Sequence, residues 1–289
     1  MLKTIIVVTI AVLNLESVET AYQEEFGYST IEQSAVSEDL AATWGAPHMQ
    51  GSKYLLMQAE SEAEVYLRFV QNPEVQGYAP MTTHGWNATE LLVKDPDALA
   101  EQLVDSEFEI IGPAKDLWPA PDAPRAMQVQ GPGNEVVYLT RNNDFVTKTA
   151  VDRAFIMVLG GPSMQAFADF YGNKLGLQVG DATPFNISVV SRAQQLPPDT
   201  TYPLAVATIS SEFLIELDEY PAAVGSRPVV TGELPPGVAM VSFTVENLDA
   251  IEVDYRAAPR VIDDFPYNGR RTAVTVGPAG EWLELLETP

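Results

Sequence analysis

One phrase occurs twice in the chain almost unchanged, and it limits the possible folds more than any bulk property does. Gly131 to Leu139 reads G-P-G-N-E-V-V-Y-L, and Gly277 to Leu285 reads G-P-A-G-E-W-L-E-L. The two align without a gap, with Tyr138 standing where Glu284 stands. Each joins a turn to a short apolar strand, since alternating residues of a strand face opposite sides. Looser versions end two further segments, E-V-Y-L-R-F-V at Glu64 to Val70 and E-F-L-I-E-L-D-E at Glu212 to Glu219. A strand ending used four times implies one supersecondary unit repeated four times.

The openings of the units support this. The first runs as an apolar strand from Ile5 to Val12, turns at Asn14, and continues with Val18, Tyr22 and Phe26 at helical spacing until Gly27. The stretch W-G-A-P-H-M-Q-G then reads as a loop before strands near Lys53 to Gln58 and Glu64 to Val70. In the second unit Asp95 is an N-cap and Pro96 fits the first helical turn. A proline-rich loop, G-P-A-K-D-L-W-P-A-P-D-A-P-R, precedes its closing strands. The third opens V-L-G-G-P-S-M-Q-A-F-A-D-F-Y, with Met164, Phe167 and Tyr171 on one helical face and Pro162 opening the helix. The fourth opens M-V-S-F-T-V-E-N-L-D-A-I after a linker rich in turn formers. A unit of one strand, one helix and two or three further strands gives an α+β class. Paired in chain order, first with second and third with fourth, the units make two domains, 1–145 (units 1–75 and 82–145) and 151–289 (units 151–220 and 236–289).

Composition excludes several functions. The 289 residues contain no cysteine, which removes disulfides, thiolate metal sites and a cysteine nucleophile. Forty acidic residues against sixteen basic ones give a formal charge of −24. That balance argues against nucleic acid and anionic membranes, both of which need a basic footprint. The apolar N-terminal run resembles a short signal peptide, but it lacks a small-x-small cleavage site, and the repeat makes it a buried first strand. No apolar run approaches the ~20 residues needed to span a bilayer, and the expectation is a cytoplasmic protein, monomer or homodimer. A Walker loop, a dinucleotide glycine fingerprint and a G-x-S-x-G elbow are all missing from the sequence.

The strand-corner-helix openings V-K-D-P-D-A-L-A, V-L-G-G-P-S-M-Q-A-F-A-D-F-Y-G-N-K-L-G-L and V-E-N-L-D, with the two G-P endings, resemble the vicinal oxygen chelate superfamily. That superfamily includes glyoxalases, bleomycin-resistance proteins and extradiol dioxygenases. The resemblance covers almost the whole chain and implies four βαβββ modules paired into two glyoxalase-like domains, each a curved, incomplete barrel around a cavity. It also implies metal ligands on the first and last strands of each module, His, Glu or Gln on the first and Glu on the last. Here the first-strand positions read about Val7, Ala88, Arg153 and Met240, and the last-strand positions Tyr66 or Arg68, Tyr138, Glu216 and Glu284. Only Glu216 and Glu284 suit a hard metal, and an arginine beside them competes for the carboxylates. The two histidines, His48 and His84, fall outside these positions.

The expectation is therefore a metal-independent small-molecule enzyme of this fold, without a cofactor. Its chemistry would be of lyase, isomerase or hydratase type, moving a proton next to a carbonyl. Glu216 and Glu284 would face each other as acid and base, since two close carboxylates drive their pKa values apart. Arg153 would orient an anionic oxygen. Arg68, Tyr138, His84 and Trp86 are candidate substrate contacts, the histidine as an acid or base near neutrality. Trp44, Trp118 and Trp282 read as core or loop anchors. One alternative is a protein that sequesters a hydrophobic or aromatic compound without turnover. Another is a metal-dependent dioxygenase or glyoxalase whose ligands lie elsewhere.

Overall fold

The computed structural model describes residues 1–288. The first unit holds β1 (Leu2–Val12), α1 (Leu15–Phe26), β2 (Tyr28–Ala35), α2 (Glu38–Trp44), β3 (Lys53–Ala59) and β4 (Tyr66–Gln71). The second holds β5 (Gly85–Val93), α3 (Pro96–Gln102), β6 (Glu109–Asp116), β7 (Arg125–Gln130) and β8 (Val136–Arg141). The third holds β9 (Val151–Gly161), α4 (Met164–Phe167, continued by a wider turn over Ala168–Lys174), β10 (Gln178–Val179), β11 (Thr183–Asn186), α5 (Ser188–Ala193), β12 (Thr201–Thr208) and β13 (Leu214–Glu219). The fourth holds β14 (Gly237–Val245), a short 3-10 turn at Leu248–Ala250, then β15 (Arg260–Ile262), β16 (Arg270–Val276) and β17 (Trp282–Glu287).

Each opening is set by its cap. The Asn14 side chain accepts from the backbone of Glu16 and Ser17, and Gly27 closes α1 in the left-handed region at φ 66°. Asp95 caps α3 in the same way, and Pro96 occupies the first turn, where no hydrogen-bonded N–H is required. In the third unit Ser163 is the cap, with Pro162 just before it rather than inside the helix. Asn247 caps the fourth opening, but the helix there stops after one 3-10 turn.

The units pair differently from their order in the chain. One sheet runs β15-β16-β17-β14-β1-β4-β3-β2, joining the first unit to the fourth. The other runs β10-β12-β13-β9-β5-β8-β7-β6, with β11 on β12, joining the second to the third. First strands meet antiparallel at the centre of each sheet, β1 on β14 and β5 on β9. Connection length accounts for this. The short link 142–150 keeps β9 on the sheet of its predecessor, whereas the longer links 72–84 and 220–236 carry the chain across to the other sheet. Arg227, in the second of these links, fixes the crossing by donating to the carbonyls of Pro236, Val238 and Trp86.

Three cores result. One cluster lies between the sheets and takes residues from all four units, including Val18, Tyr22 and Phe26 of α1, Phe108, Phe167 and Phe243. The other two fill the concave faces, one around Trp44, Tyr267 and Trp282, the other around Tyr138, Val158, Tyr202 and Tyr220.

The repeated turn has a physical reason for its glycine. At Gly277 a Cβ would lie 1.9 Å from a Glu281 carboxylate oxygen, and at Gly131 it would lie 2.0 Å from one of Glu135. Each glutamate folds back over its own turn. Glu281 accepts from Tyr171 of the opposite sheet at 2.7 Å and from the Ala279 backbone at 2.8 Å. In the other half Tyr22 stands against Glu135, although neither hydroxyl nor carboxylate completes a hydrogen bond. The repeated phrase is thus a contact between the two halves, where a tyrosine of one unit's helix meets the closing turn of the next unit.

Candidate active site

Counting back five residues from each helix cap gives the first-strand position that faces a concave core: Thr9 from Asn14, Glu90 from Asp95, Val158 from Ser163 and Ser242 from Asn247. Strand register pairs these with Arg68, Tyr138, Glu216 and Glu284 on the last strands. The sheets therefore place Thr9, Arg68, Ser242 and Glu284 in one barrel and Glu90, Tyr138, Val158 and Glu216 in the other. The last-strand residues expected from sequence hold these positions. The first-strand ones shift by two residues from Val7, Ala88 and Met240, and by five from Arg153, because apolar runs alone do not fix strand register.

The barrel of the first and fourth units is closed by its own side chains. Glu284 is fully buried and accepts from Trp44 Nε1 at 2.8 Å, from Ser242 Oγ at 2.5 Å and from the Tyr267 hydroxyl at 3.0 and 3.1 Å. Arg68, also buried, donates to Thr9 and to the Tyr267 oxygen, and its Nη2 lies 3.5 Å from Glu284. Its guanidinium stacks 4.8 Å from the Trp44 ring centroid. A carboxylate with three side-chain donors and a matched arginine is a satisfied internal network, stable because breaking it would strand a buried charge. Trp44, Tyr267 and Trp282 pack around it as an apolar core.

The barrel of the second and third units is open. A cavity of about 410 Å³ reaches Glu90, Tyr138 and Glu216 between walls that include Ile156, Phe185, Ile187, Val189, Leu204 and Leu214. Trp118, about half exposed, stands at its edge on the proline-rich loop with Lys115 and Leu117. Glu90 is almost completely buried, and burial pushes its carboxyl up to about 7, against a smaller opposing effect of the Thr140 hydroxyl. Glu216 is surrounded by protein but reached by solvent through the cavity. Burial, then Asp218 and then Glu90 hold its carboxyl well above the ordinary carboxylate range. Asp218, two residues along β13 and fully buried, is raised by the same causes, and neither of its oxygens has a hydrogen-bond partner. The Tyr138 hydroxyl is likewise buried and unpartnered, with burial and then Glu216 raising its pKa. Three carboxyl groups without a neighbouring cation cannot all ionise, so the cluster retains protons near neutrality.

The remaining expected residues lie elsewhere. Glu216 and Glu284, expected to face each other, belong to opposite sheets. Arg153 joins neither carboxylate. It binds its neighbour Asp152 at 2.6 Å, with Glu212 3.9 Å away, in a surface cleft beside Glu62 and Glu64. Trp86 is buried between the sheets and donates to the Trp282 carbonyl at 2.9 Å. His84 is buried against the crossing link, its backbone donating to Gly225, and burial lowers its pKa. Glu90, Gln128 and Asp218 were not anticipated. The five-residue count back from Asp95 would have found Glu90, and the i, i+2 spacing from Glu216 would have found Asp218.

The four positions in the open barrel do not suit the metal typical of the fold. They offer two carboxyls, a tyrosine held protonated and a valine, and among the described residues no group of three or more His, Cys, Asp and Glu could hold a metal ion.

Comparison with solved structures shows the fold. Glyoxalase I from Zea mays superposes with a TM-score of 0.67 at 15% identity, covering 98% of this chain and 92% of that one. A candidate dioxygenase from Bacillus subtilis subsp. subtilis str. 168 gives 0.63 at 10% identity, covering 100% and 86%. The architecture is a glyoxalase-like fold, with four modules in one chain. No family model matches the sequence, and no curated protein matches it.

Proposed function

We propose that this protein is a small-molecule enzyme that moves a proton next to a carbonyl group, in an isomerase- or lyase-type step, in the cavity of the second and third units. One observation carries the reading: Glu90, Glu216 and the unpartnered Tyr138 hydroxyl converge on one apolar cavity. An apolar pocket with a few convergent polar groups of perturbed pKa has the features of an active site.

The roles follow from the environments. Glu216, the carboxyl held further up, stays protonated and, with Tyr138, donates a hydrogen bond to the substrate oxygen. Two neutral donors in a dry site stabilise an enolate as negative charge develops there, and a carboxylic acid kept protonated by apolar surroundings can serve this role. Glu90, near 7, takes the α-proton as its carboxylate form and returns it at another position, or holds it while a β-leaving group departs. Donor and base come from neighbouring or facing strands, so the sheet holds their separation. No arginine is needed, and Arg153 has no part in this scheme.

The test is exchange of α-protons in D2O, followed by NMR on a panel of cyclic and aryl ketones. Catalysed exchange that falls about a hundredfold or more in Glu90→Gln, with the variant still folded, is the expected result. A protein that binds these ketones but exchanges none of their α-protons would instead be a sequestering protein, a reading that the apolar walls also favour.

A further inference from the structure

The cavity also constrains the charge of what enters it. Its walls are aliphatic and aromatic over most of their area, with Ile156, Phe185, Ile187 and Leu204 facing Glu90 and Glu216. Lys115 is the one cation among the described lining residues, and it is exposed at the rim, where its ammonium reaches Ser188 at 3.5 Å. The inner end thus holds Glu90, Glu216 and, behind them, Asp218, with no positive charge to receive an anion. The orphaned Tyr138 hydroxyl offers a donor at the same place.

An anionic ligand would be desolvated against apolar walls and brought up to Glu90, which ionises near 7, with no cation at the inner end to match its charge. A cationic ligand would draw the carboxyls into their ionised forms and would leave Tyr138 without an acceptor. A neutral ligand with one oxygen satisfies Tyr138 and a protonated carboxyl, and leaves the retained protons where they are.

We propose that the ligand class of this cavity is neutral, apolar compounds bearing a single carbonyl or phenolic oxygen, and that organic anions are rejected by the Glu90–Glu216–Asp218 cluster. This rests on the cavity being the working site, as in the proposed function, and it would exclude carboxylate and phosphonate substrates.

The experiment compares three probes of one shape: 2-naphthol, 2-naphthoate and 2-naphthylmethylammonium. Binding to the full chain is followed by calorimetry and by quenching of Trp118, with Trp118→Phe identifying that signal. The naphthol is expected to bind at least about tenfold more tightly than either ion, and to lose about tenfold in Tyr138→Phe. In the Glu90→Gln, Glu216→Gln double variant, checked for folding by its thermal transition, naphthoate is expected to gain about tenfold because the two carboxyls that line the cavity no longer ionise against it. Naphthoate or the ammonium binding as well as the naphthol to the unmodified protein would overturn the proposal. So would naphthol binding that is unchanged in both Tyr138→Phe and a cavity-filling Ile156→Trp. The two readings can fail separately. Naphthol selectivity with no α-proton exchange leaves the ligand class standing and removes the enzyme. Exchange that naphthoate inhibits as well as naphthol does the reverse.

Discussion

Replacing Glu281 with glutamine should change how stability depends on pH, by an amount the structure allows to be worked out. Glu281 is buried under its turn, and burial raises its carboxyl to about 7, outweighing the hydrogen bonds from Tyr171 and from the backbone near Ala279 that favour the ionised form. In the unfolded chain the same group titrates near its ordinary value of 4.5. Between those values the native state binds the additional proton, so its stability falls as pH rises from about 4.5 to about 7 and is level outside that window. At about 1.4 kcal/mol per pH unit the full effect is about 3 kcal/mol, less whatever a compact unfolded chain retains. Glutamine fits the site without titrating. Its oxygen can accept from Ala279, and its amide can donate to the Tyr171 oxygen once that hydroxyl rotates. Urea denaturation of both proteins at several pH values from 4.5 to 8 gives the difference directly, and other carboxylates cancel in it. The variant should gain on the parent steadily up to neutrality. Parallel stability curves across the window would mean that Glu281 ionises normally, and the account of the repeated turn as a buried, protonated link between sheets would be refuted.

Four further outcomes test the contrast between the two barrels. Trp44→Ala removes a fully buried ring and one donor to Glu284, and should cost about 3–5 kcal/mol by thermal or urea unfolding while leaving naphthol affinity intact. Tyr138→Phe deletes a buried hydroxyl that has no partner, so stability should stay within about 0.5 kcal/mol or rise while α-proton exchange drops at least about tenfold. Exchange should switch on as pH rises through about 7, where Glu90 ionises to act as base, and fall again once Glu216 loses its proton; onset near pH 4–5 would show an unperturbed Glu90. Arg153→Met should leave exchange kinetics unchanged, since its side chain reaches Asp152 and not the cavity.

Much of the fold was legible because its signals are local. Asn14, Asp95 and Gly27 mark helix ends through their own hydrogen bonds or backbone angles, and the structure puts them where the sequence does. The glycine of the G-P turns and the glutamate five residues into each phrase form a compact unit readable from a single segment. The helix α2 was not legible. Its seven residues make barely two helical turns, and it is held by Trp44 packing into a barrel whose other wall is the fourth unit. Unit pairing was illegible for the same reason. Which first strands meet depends on link length and on the shared core between sheets, and repeated units look alike whichever partner they take.

The site shows this limit most sharply. The sequence offers Glu216 and Glu284 as equivalent residues of equivalent strands, and the structure gives them opposite environments. Glu284 meets Trp44, Ser242, Tyr267 and Arg68, all of them donors or cations, so its charge is matched and its barrel is filled. Glu216 meets Glu90, Asp218 and Tyr138 across an open space, so protons are retained in place of a counter-charge. Four similar units supply two barrels, and bulky side chains, Trp44 of α2 with Tyr267 and Trp282, fill one of them. With that barrel devoted to stability, the other is free to keep the unsatisfied hydroxyl and strained protonation states that a reaction needs. Function in such a chain is therefore to be sought in the barrel with unmet hydrogen bonds, and not in the one whose carboxylate is already matched by donors and an arginine.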